Sequence, residues 1–230
     1  MDSLSPFALW KWEDTLAHWQ MFVSGLGFTL GVSVLALILA GVIGVVSGMM
    51  ATGKIAILRY FSRIYVEIFQ NTPLVIQLFF LYFALPPMGI NLNVFTIGVL
   101  GIGAYHGAYM SEVVRSGINS IPKGQFEAAA SQGFSYIEQM MYMILPQSIK
   151  VILPPATNQA VNLIKNSSVL LIIAGAELMY MSDSYASNSL NYATSYSVAG
   201  ILYFIMCFPL AMWARNYEEK LKNAHLTRSK

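Results

Sequence analysis

From Met21 to Met50 the chain runs thirty residues without a charged side chain. At 1.5 Å per residue such a helix is about 45 Å long, longer than the roughly 30 Å hydrocarbon core of a bilayer, so it must tilt or protrude. Composition agrees with a membrane solvent: 56% of the 230 residues are hydrophobic and 10% charged, against about 25% charged in an ordinary soluble domain. The net charge of +2 is spread along the chain and beside apolar runs, which gives no nucleic-acid footprint. Cys207 stands alone inside an apolar run, so it reads as a small buried hydrophobe and no disulfide framework or Cys/His metal spacing exists. The first twenty residues lack a basic n-region and carry Asp2, Glu13 and Asp14, which argues against a cleavable signal. Phe7–Trp19 mixes Trp10, Trp12 and Trp19 with polar residues and is expected to be a short amphipathic helix at the interface.

Four more spans are expected, at roughly 57–85, 93–114, 148–174 and 196–214. Gly27/Gly31 and Gly44/Gly48 are spaced i, i+4 on the first span, as close helix packing requires. Pro73 is expected to bend the second span, and Pro154-Pro155 to break the fourth. Lys54, Arg59 and Arg63 follow the first span, Arg115, Lys123 and Lys150 flank residues 121–146, and Arg215, Lys220, Lys222, Arg228 and Lys230 occupy the tail. The loops 86–92 and 182–195 have neither Lys nor Arg. Positive residues favour the cytoplasmic side, so the pattern puts the N-terminus outside and the tail inside.

Ionisable groups within spans cost about 2.5–3.5 kcal/mol at a helix centre on insertion scales, so each should face protein or a cavity. For Glu67, Glu112, Lys165 and Glu177 the simplest reading is a structural ion pair, as for Glu112 with Arg115 at i, i+3. His106 reads as a packed core histidine. Asn158, Asn162, Lys165 and Asn166 fall largely on one helical face. That polar stripe fits either a transport pathway or interhelical hydrogen bonding at a subunit seam. Gly48–Ile55 (GMMATGKI) approximates a P-loop, but Ile55 stands where a magnesium-ligating hydroxyl is needed and no strand precedes it. No nucleophile elbow, H-E-x-x-H or supported carboxylate pair appears either, so the chain is not expected to be an enzyme.

The most informative stretch is Ile121–Pro155, a polar interruption between apolar runs. Pro122 cannot continue the helix before it. Gln125–Gln132 has the composition of a short helix with alanines at its centre, and Gly133 either turns the backbone or admits a close surface. Glu127-Ala128-Ala129, three residues, Gly133, nine residues, then Met143-Ile144-Leu145-Pro146 resembles the EAA loop of ABC importer permeases. Met143 takes the place of the usual isoleucine there. Three further blocks resemble polar amino-acid ABC transporter permeases, which are binding-protein-dependent transport system inner membrane components. They are Gln70-Asn71-Thr72-Pro73-Leu74 with Gln77, Tyr109–Gln125, and Leu153-Pro154-Pro155 through Ala176-Glu177-Leu178. Gln70 replaces a common Arg and Asn166 a common Asp, and each removes a formal charge near the presumed pathway.

The resemblance implies an all-α polytopic membrane protein of about five transmembrane helices with the type I ABC importer permease fold. It implies one permease domain over residues 1–230, with a cytoplasmic coupling region at 121–146. Glu127, Ala128, Ala129 and Gly133 would contact the ATPase, and Glu127 would also sit at a helix start, where a carboxylate suits the dipole. Gln70, Thr72, Gln77, Asn158, Asn162 and Lys165 are the candidate pathway residues. The expected partners are two ABC ATPase subunits, a second permease copy or paralogue, an extracytoplasmic amino-acid-binding protein and membrane lipid. ATP and magnesium would belong to the ATPase, with no cofactor on this chain, and the setting would be the bacterial inner membrane. The rival readings are an ion-gradient-driven secondary transporter, which would need a second inverted half, and a membrane scaffold that moves nothing.

Overall fold

The computed structural model describes residues 5–228, with side chains as far as Leu221. Asp2 and Lys230 lie outside the described residues, and the side chains of Lys222 and Arg228 outside those described. Among the described residues the chain is helical throughout, joined by short turns. Its helices are α1 (Leu9–Ala17), α2 (Trp19–Thr52), α3 (Ala56–Asn71), α4 (Leu74–Phe79), α5 (Val94–Asn119), α6 (Lys123–Ser131), α7 (Tyr136–Glu138), α8 (Leu145–Asn166), α9 (Leu178–Ser189) and α10 (Tyr192–Arg228). A π-helical turn extends α4 over Phe80–Ala84, another joins α7 to α8 over Gln139–Ile144, and a 3-10 segment follows α8 over Ser167–Ile173.

By length and composition, α2 and the Tyr192–Leu221 part of α10 are each sufficient to cross a membrane. Two broken pairs, α3 with α4 and its π turn, and Tyr136–Ile173 with α9, pass the same test jointly. The expected third span is α5, 26 residues long. It is not among the helices that pass this test of length and composition.

The sequence reads as one domain, while the chain's contacts gather into two compact units. Unit one comprises the described part of Met1–Ala36 with Leu74–Ile102 and Asn162–Pro209. Unit two comprises Leu37–Pro73, Gly103–Val161 and the described part of Leu210–Lys230.

In unit one, Phe22, Leu178, Tyr185 and Ala199 form a buried cluster with Leu26, Val198 and Leu202 packed against it. The expected interfacial helix is α1, with Trp10 exposed; it stops at Ala17, and Trp19, also exposed, opens α2. It is held by polar contacts. The Asp14 carboxylate accepts from Tyr185 Oη at 2.7 Å and from Asn191 Nδ2 at 3.0 Å. The buried hydroxyls of Thr15 and Thr194 lie 2.7 Å apart. Asp14→Ala takes the nearer acceptor from both donors and leaves only the longer bonds from Tyr185 Oη to Thr15 Oγ1 at 3.3 Å and from Asn191 Nδ2 to Tyr185 Oη at 3.5 Å, at about 1–3 kcal/mol. Amide exchange over Leu9–Ala17 should therefore accelerate by at least tenfold, while exchange in unit two stays unchanged.

Glu177 departs from the expected ion pair. It is fully buried and caps α9, its carboxylate accepting from Met179 N at 2.8 Å, Tyr180 N at 2.7 Å and Tyr203 Oη at 2.7 Å. A helix start leaves backbone N–H groups without partners, and a carboxylate there satisfies them and suits the dipole. Cys207 is buried and free, as a small apolar residue would be.

In unit two, single serines join three helices. Ser62 Oγ lies 2.8 Å from Ser47 Oγ and donates to the Ser47 carbonyl at 2.8 Å, and Ser111 Oγ donates to Ser47 Oγ at 3.0 Å. Such hydroxyls act as interhelical ties where no water competes. Tyr65 Oη donates to the Ala104 carbonyl at 2.6 Å. His106 is buried, as the core reading expects.

The expected break at Pro154-Pro155 is absent: α8 runs through both prolines. The proline φ is itself helical, and the two missing N–H groups free only the carbonyls of Lys150 and Val151. Those residues are exposed and line an open cavity of about 380 Å³ with Pro154, Pro155 and Asn158, where the carbonyls can be solvated. The change of helix type comes later, at Ser167.

Candidate functional site: the helix between α5 and α8

The segment between α5 and α8 lies wholly within unit two. Pro122 is extended at φ −56° and ψ 138°, and α6 begins at Lys123. One proline thus closes α5 and opens α6. Glu127 is therefore the fifth residue of α6. The expected position at the helix start is incorrect, and its carboxylate caps nothing. Glu127, Ala128 and Ala130 are exposed, Phe126 is half-buried and Ala129 is fully buried. So Ala129 packs inward, whereas Gly124, Glu127, Ala128 and Ser131 form an outward face of small residues with a single acid.

Gly133 ends α6 through backbone conformation, with φ +82°. Its N–H donates to Ala130 O at 3.0 Å and that of Phe134 to Ala129 O at 3.3 Å, the paired bonds of a Schellman motif. A Cβ at Gly133 would meet nothing within 4 Å, so a substitution meets only backbone strain. Gly133→Ala should cost about 1–2 kcal/mol, seen as roughly tenfold faster exchange at the Phe134 amide. Gly133→Asn should cost less, because asparagine tolerates this conformation.

The next turn begins with a reciprocal cap. Ser135 Oγ accepts from Glu138 N at 3.4 Å, and Glu138 Oε2 accepts from Ser135 N at 2.8 Å. The hydrogen bonds from the Ser135 hydroxyl and then its backbone N–H hold the Glu138 carboxyl below its ordinary value. A lowered folded-state pKa contributes stability above the ordinary carboxylate range, lost as pH falls through the lowered value. Protection of the Ser135 amide should therefore fall on acidification below the ordinary carboxylate range. Glu138→Gln should show no such step.

Fastening to the rest of unit two is extensive. Tyr136 Oη donates to Met49 O at 2.8 Å and lies 3.0 Å from Thr52 Oγ1. Gln147 Nε2 donates to Gln125 Oε1 at 3.1 Å. Val114, Ile118, Met140 and Ile144 form the buried cluster beneath, with Phe126 and Tyr136 against it. A force on α6 is thereby carried to the ends of α2 and α5, because close-packed elements move together.

The candidate pathway residues belong to α3, α4 and α8 and to both units. Gln70 donates through Nε2 to Ala108 O at 3.2 Å, tying α3 to α5 in unit two. Thr72 is half-buried and ends α3 in extended backbone just before Pro73. Gln77 is half-buried on α4 in unit one. Asn158, Asn162 and Lys165 are all exposed on α8, Asn158 in unit two and the other two in unit one. Glu112 and Arg115 form the expected pair, with Arg115 Nη2 to Glu112 Oε2 at 2.6 Å. Glu67 pairs with Arg63 Nε at 2.7 Å. The three-serine tie was missed: isolated serines in an apolar run carry no distinguishing pattern.

Residues 40–223 match the family described as binding-protein-dependent transport system inner membrane component. The chain is 37% identical over 208 residues, 90% of its length and 96% of the relative's, to the "Probable glutamine ABC transporter permease protein GlnM" of Bacillus subtilis. It is 34% identical over 198 residues to the "Probable amino-acid ABC transporter permease protein YckA" of the same organism, covering 86% of this chain and 88% of that one. Its structure superposes on the crystal structure of an amino acid ABC transporter with histidines at TM-score 0.81 and 30% identity, covering 91% of this chain and 98% of the other. An inward-facing structure of the MetNI methionine ABC transporter shares the fold at TM-score 0.70 and 18% identity, over 87% and 98%. The architecture is that of type I ABC importer permeases.

Proposed function

Because the chain belongs to the family of binding-protein-dependent transport system inner membrane components, we propose that it is the permease subunit of an ATP-driven importer for polar amino acids. The observation that carries this reading is α6. A short helix presents Glu127, Ala128 and Gly124 outward and is clamped underneath to α2, α5 and α8. An exposed helix with small side chains is suited to entering a groove on a partner.

In this reading two ATPase subunits receive the α6 helices of two permeases, identical or related. ATP and magnesium are bound and turned over by the ATPase, and this chain performs no chemistry. A binding protein outside delivers the amino acid. Closure of the ATPases pushes α6, and the push reaches the helix ends through Tyr136 and the Met140–Ile144 cluster. The membrane is the bacterial inner membrane, with the N-terminus outside and α10 ending in the cytoplasm, a reading that the lysine and arginine pattern supports. The relatives named for glutamine and amino-acid transport support an amino acid as cargo. The exposed Asn158, Asn162 and Lys165 are the candidates to line its path.

The test is uptake of labelled glutamine and other polar amino acids into vesicles holding this chain, its ATPase and its binding protein. Uptake should require internal ATP and survive ionophores that collapse ion gradients. Uptake that persists without the ATPase and stops with ionophore would show a gradient-driven transporter instead. No uptake of any polar amino acid with ATP present would defeat the importer reading.

A further inference from the structure

Where α2, α3 and α7 meet, unit two holds a single cavity of about 490 Å³. Val46, Met49 and Met50 line it from α2, and their i, i+3, i+4 spacing puts them on one helix face. Ile55 and Leu58 line it from the start of α3, and Ile137 from α7. The walls are fixed before anything enters. Tyr136, also a lining residue, donates through Oη to Met49 O at 2.8 Å and so holds α7 to α2. Arg59 donates through Nη1 to the Gly53 carbonyl at 2.8 Å and so holds the turn between α2 and α3. A preformed, mostly apolar space of this size with few polar groups is the usual form of a small-molecule site, and preorganisation lowers the cost of binding.

The charge beside the cavity has one sign. Lys54 is the one charged residue that lines it, and Lys54 enters no ion pair among the described residues. Arg59, through its bond to Gly53, adds a second cation at the same turn. Glu138 follows Ile137 but does not line the cavity, and its carboxylate is engaged by Ser135 N at 2.8 Å. Depth in the membrane agrees. Lys54 is the first charged residue after the uncharged α2, so the cavity lies where hydrocarbon gives way to headgroups. Val46, Ile55 and Ile137 are each more than half exposed, which leaves an open apolar rim for a chain to enter.

We propose that this cavity holds an acyl chain of one anionic phospholipid from the adjoining leaflet, with Lys54 at its phosphate. The apolar lining selects a lipid over a free anion, and the unpaired cation selects an anionic over a zwitterionic headgroup. The bound chain would pack directly on Tyr136, the residue that ties α7 to the end of α2. The inference goes beyond the transport reading and does not rest on it.

The experiment places the full chain in vesicles of mixed phosphatidylglycerol and phosphatidylcholine, one of the two carrying a light-activated diazirine in its acyl chain. Labelled phosphatidylglycerol should attach within residues 46–58 and 135–137, in preference to labelled phosphatidylcholine. Lys54→Gln should lower that preference by about fivefold, the scale for one basic residue beside anionic lipid. Leu58→Trp should fill the cavity and remove most of the label with Lys54 intact. Because Lys54 is exposed, Lys54→Gln decides the matter should Leu58→Trp fail to fold. Equal labelling by the two lipids, label confined to other segments, or a preference unchanged in Lys54→Gln would overturn the proposal. So would label that disappears once the chain is bound to a partner ATPase, since the cavity would then belong to that interface.

Discussion

Glu177→Ala is expected to lower the melting temperature of the purified chain by about 10 °C. The estimate takes about 3–5 kcal/mol lost and roughly 2–4 °C per kcal/mol for a chain of this size. The carboxylate is fully buried and accepts from two backbone N–H groups of α9 and from Tyr203 Oη. Removing it leaves the part-buried Met179 and Tyr180 amides at the α9 start without their acceptor and takes one partner from Tyr203 Oη, and each group left unsatisfied costs about 1–3 kcal/mol. The neighbouring bond from Leu178 N to Thr29 Oγ1 at 3.0 Å is set by the same turn, so the α9 start loosens as a unit. Glu177→Gln keeps the volume and one acceptor oxygen, and should fall between alanine and wild type. Detection by tryptophan fluorescence or gel filtration after heating would suffice. Glu177→Ala melting within about 2 °C of wild type, a shift worth roughly 1 kcal/mol or less, would remove the capping account.

Gly48→Leu should be more severe, leaving little folded protein after extraction. A Cβ built on Gly48 lies 2.7 Å from Val114 Cγ1, 2.8 Å from Val114 Cβ and 3.0 Å from the Ser111 carbonyl. One turn earlier, a Cβ on Gly44 meets Met110 Cβ at 2.6 Å. Here α2 and α5 touch almost backbone to backbone, and Ser111 Oγ reaches Ser47 Oγ across the same seam. Extra methylenes in a packed core cost about 1–3 kcal/mol, and more where the backbone must give way. Forcing the seam apart also breaks the serine tie. Gly48→Ala should be milder, and Val114→Ala should partly rescue it by withdrawing the clashing methyls. Gly48→Leu that melts like wild type would show that this seam does not hold unit two together.

The close approach at Gly44 and Gly48 was legible because small residues at i, i+4 have a direct steric meaning. The same rule succeeded at Gly31, which faces Phe95, and failed at Gly27, where a Cβ would meet nothing within 4 Å. Spacing shows that approach is allowed, not that a neighbour is present. The uncharged run at 21–50 placed α2 to within two residues of Trp19–Thr52. The EAA pattern located α6 and its terminal glycine.

Other features needed coordinates. Glu177 was read as half of an ion pair, because sequence shows which residues carry charge and not which N–H groups converge on them. Glu127 was placed at a helix start, because Pro122 was read only as an end of α5. Pro154-Pro155 was read as a break, although a helix tolerates prolines where the freed carbonyls face an open cavity. Gln70 drew attention as a pathway residue from its place before Thr72-Pro73, and the bond from its amide to the Ala108 carbonyl is a feature that only coordinates show.

The central claim is that α6 is the contact through which a partner ATPase drives this chain. The direct measurement is ATP hydrolysis in complexes drawn from mild detergent by a tag on this chain, for wild type, Glu127→Lys and Ala128→Arg. Both positions are exposed on α6 and outside the buried cluster, so both variants should melt as wild type does. The account predicts that ATPase activity accompanies the wild type and falls more than tenfold in each variant, the scale of a truncated interface hot spot at about 2 kcal/mol. Variants that retain full activity, or a folded wild type that brings no ATPase with it, would contradict the claim.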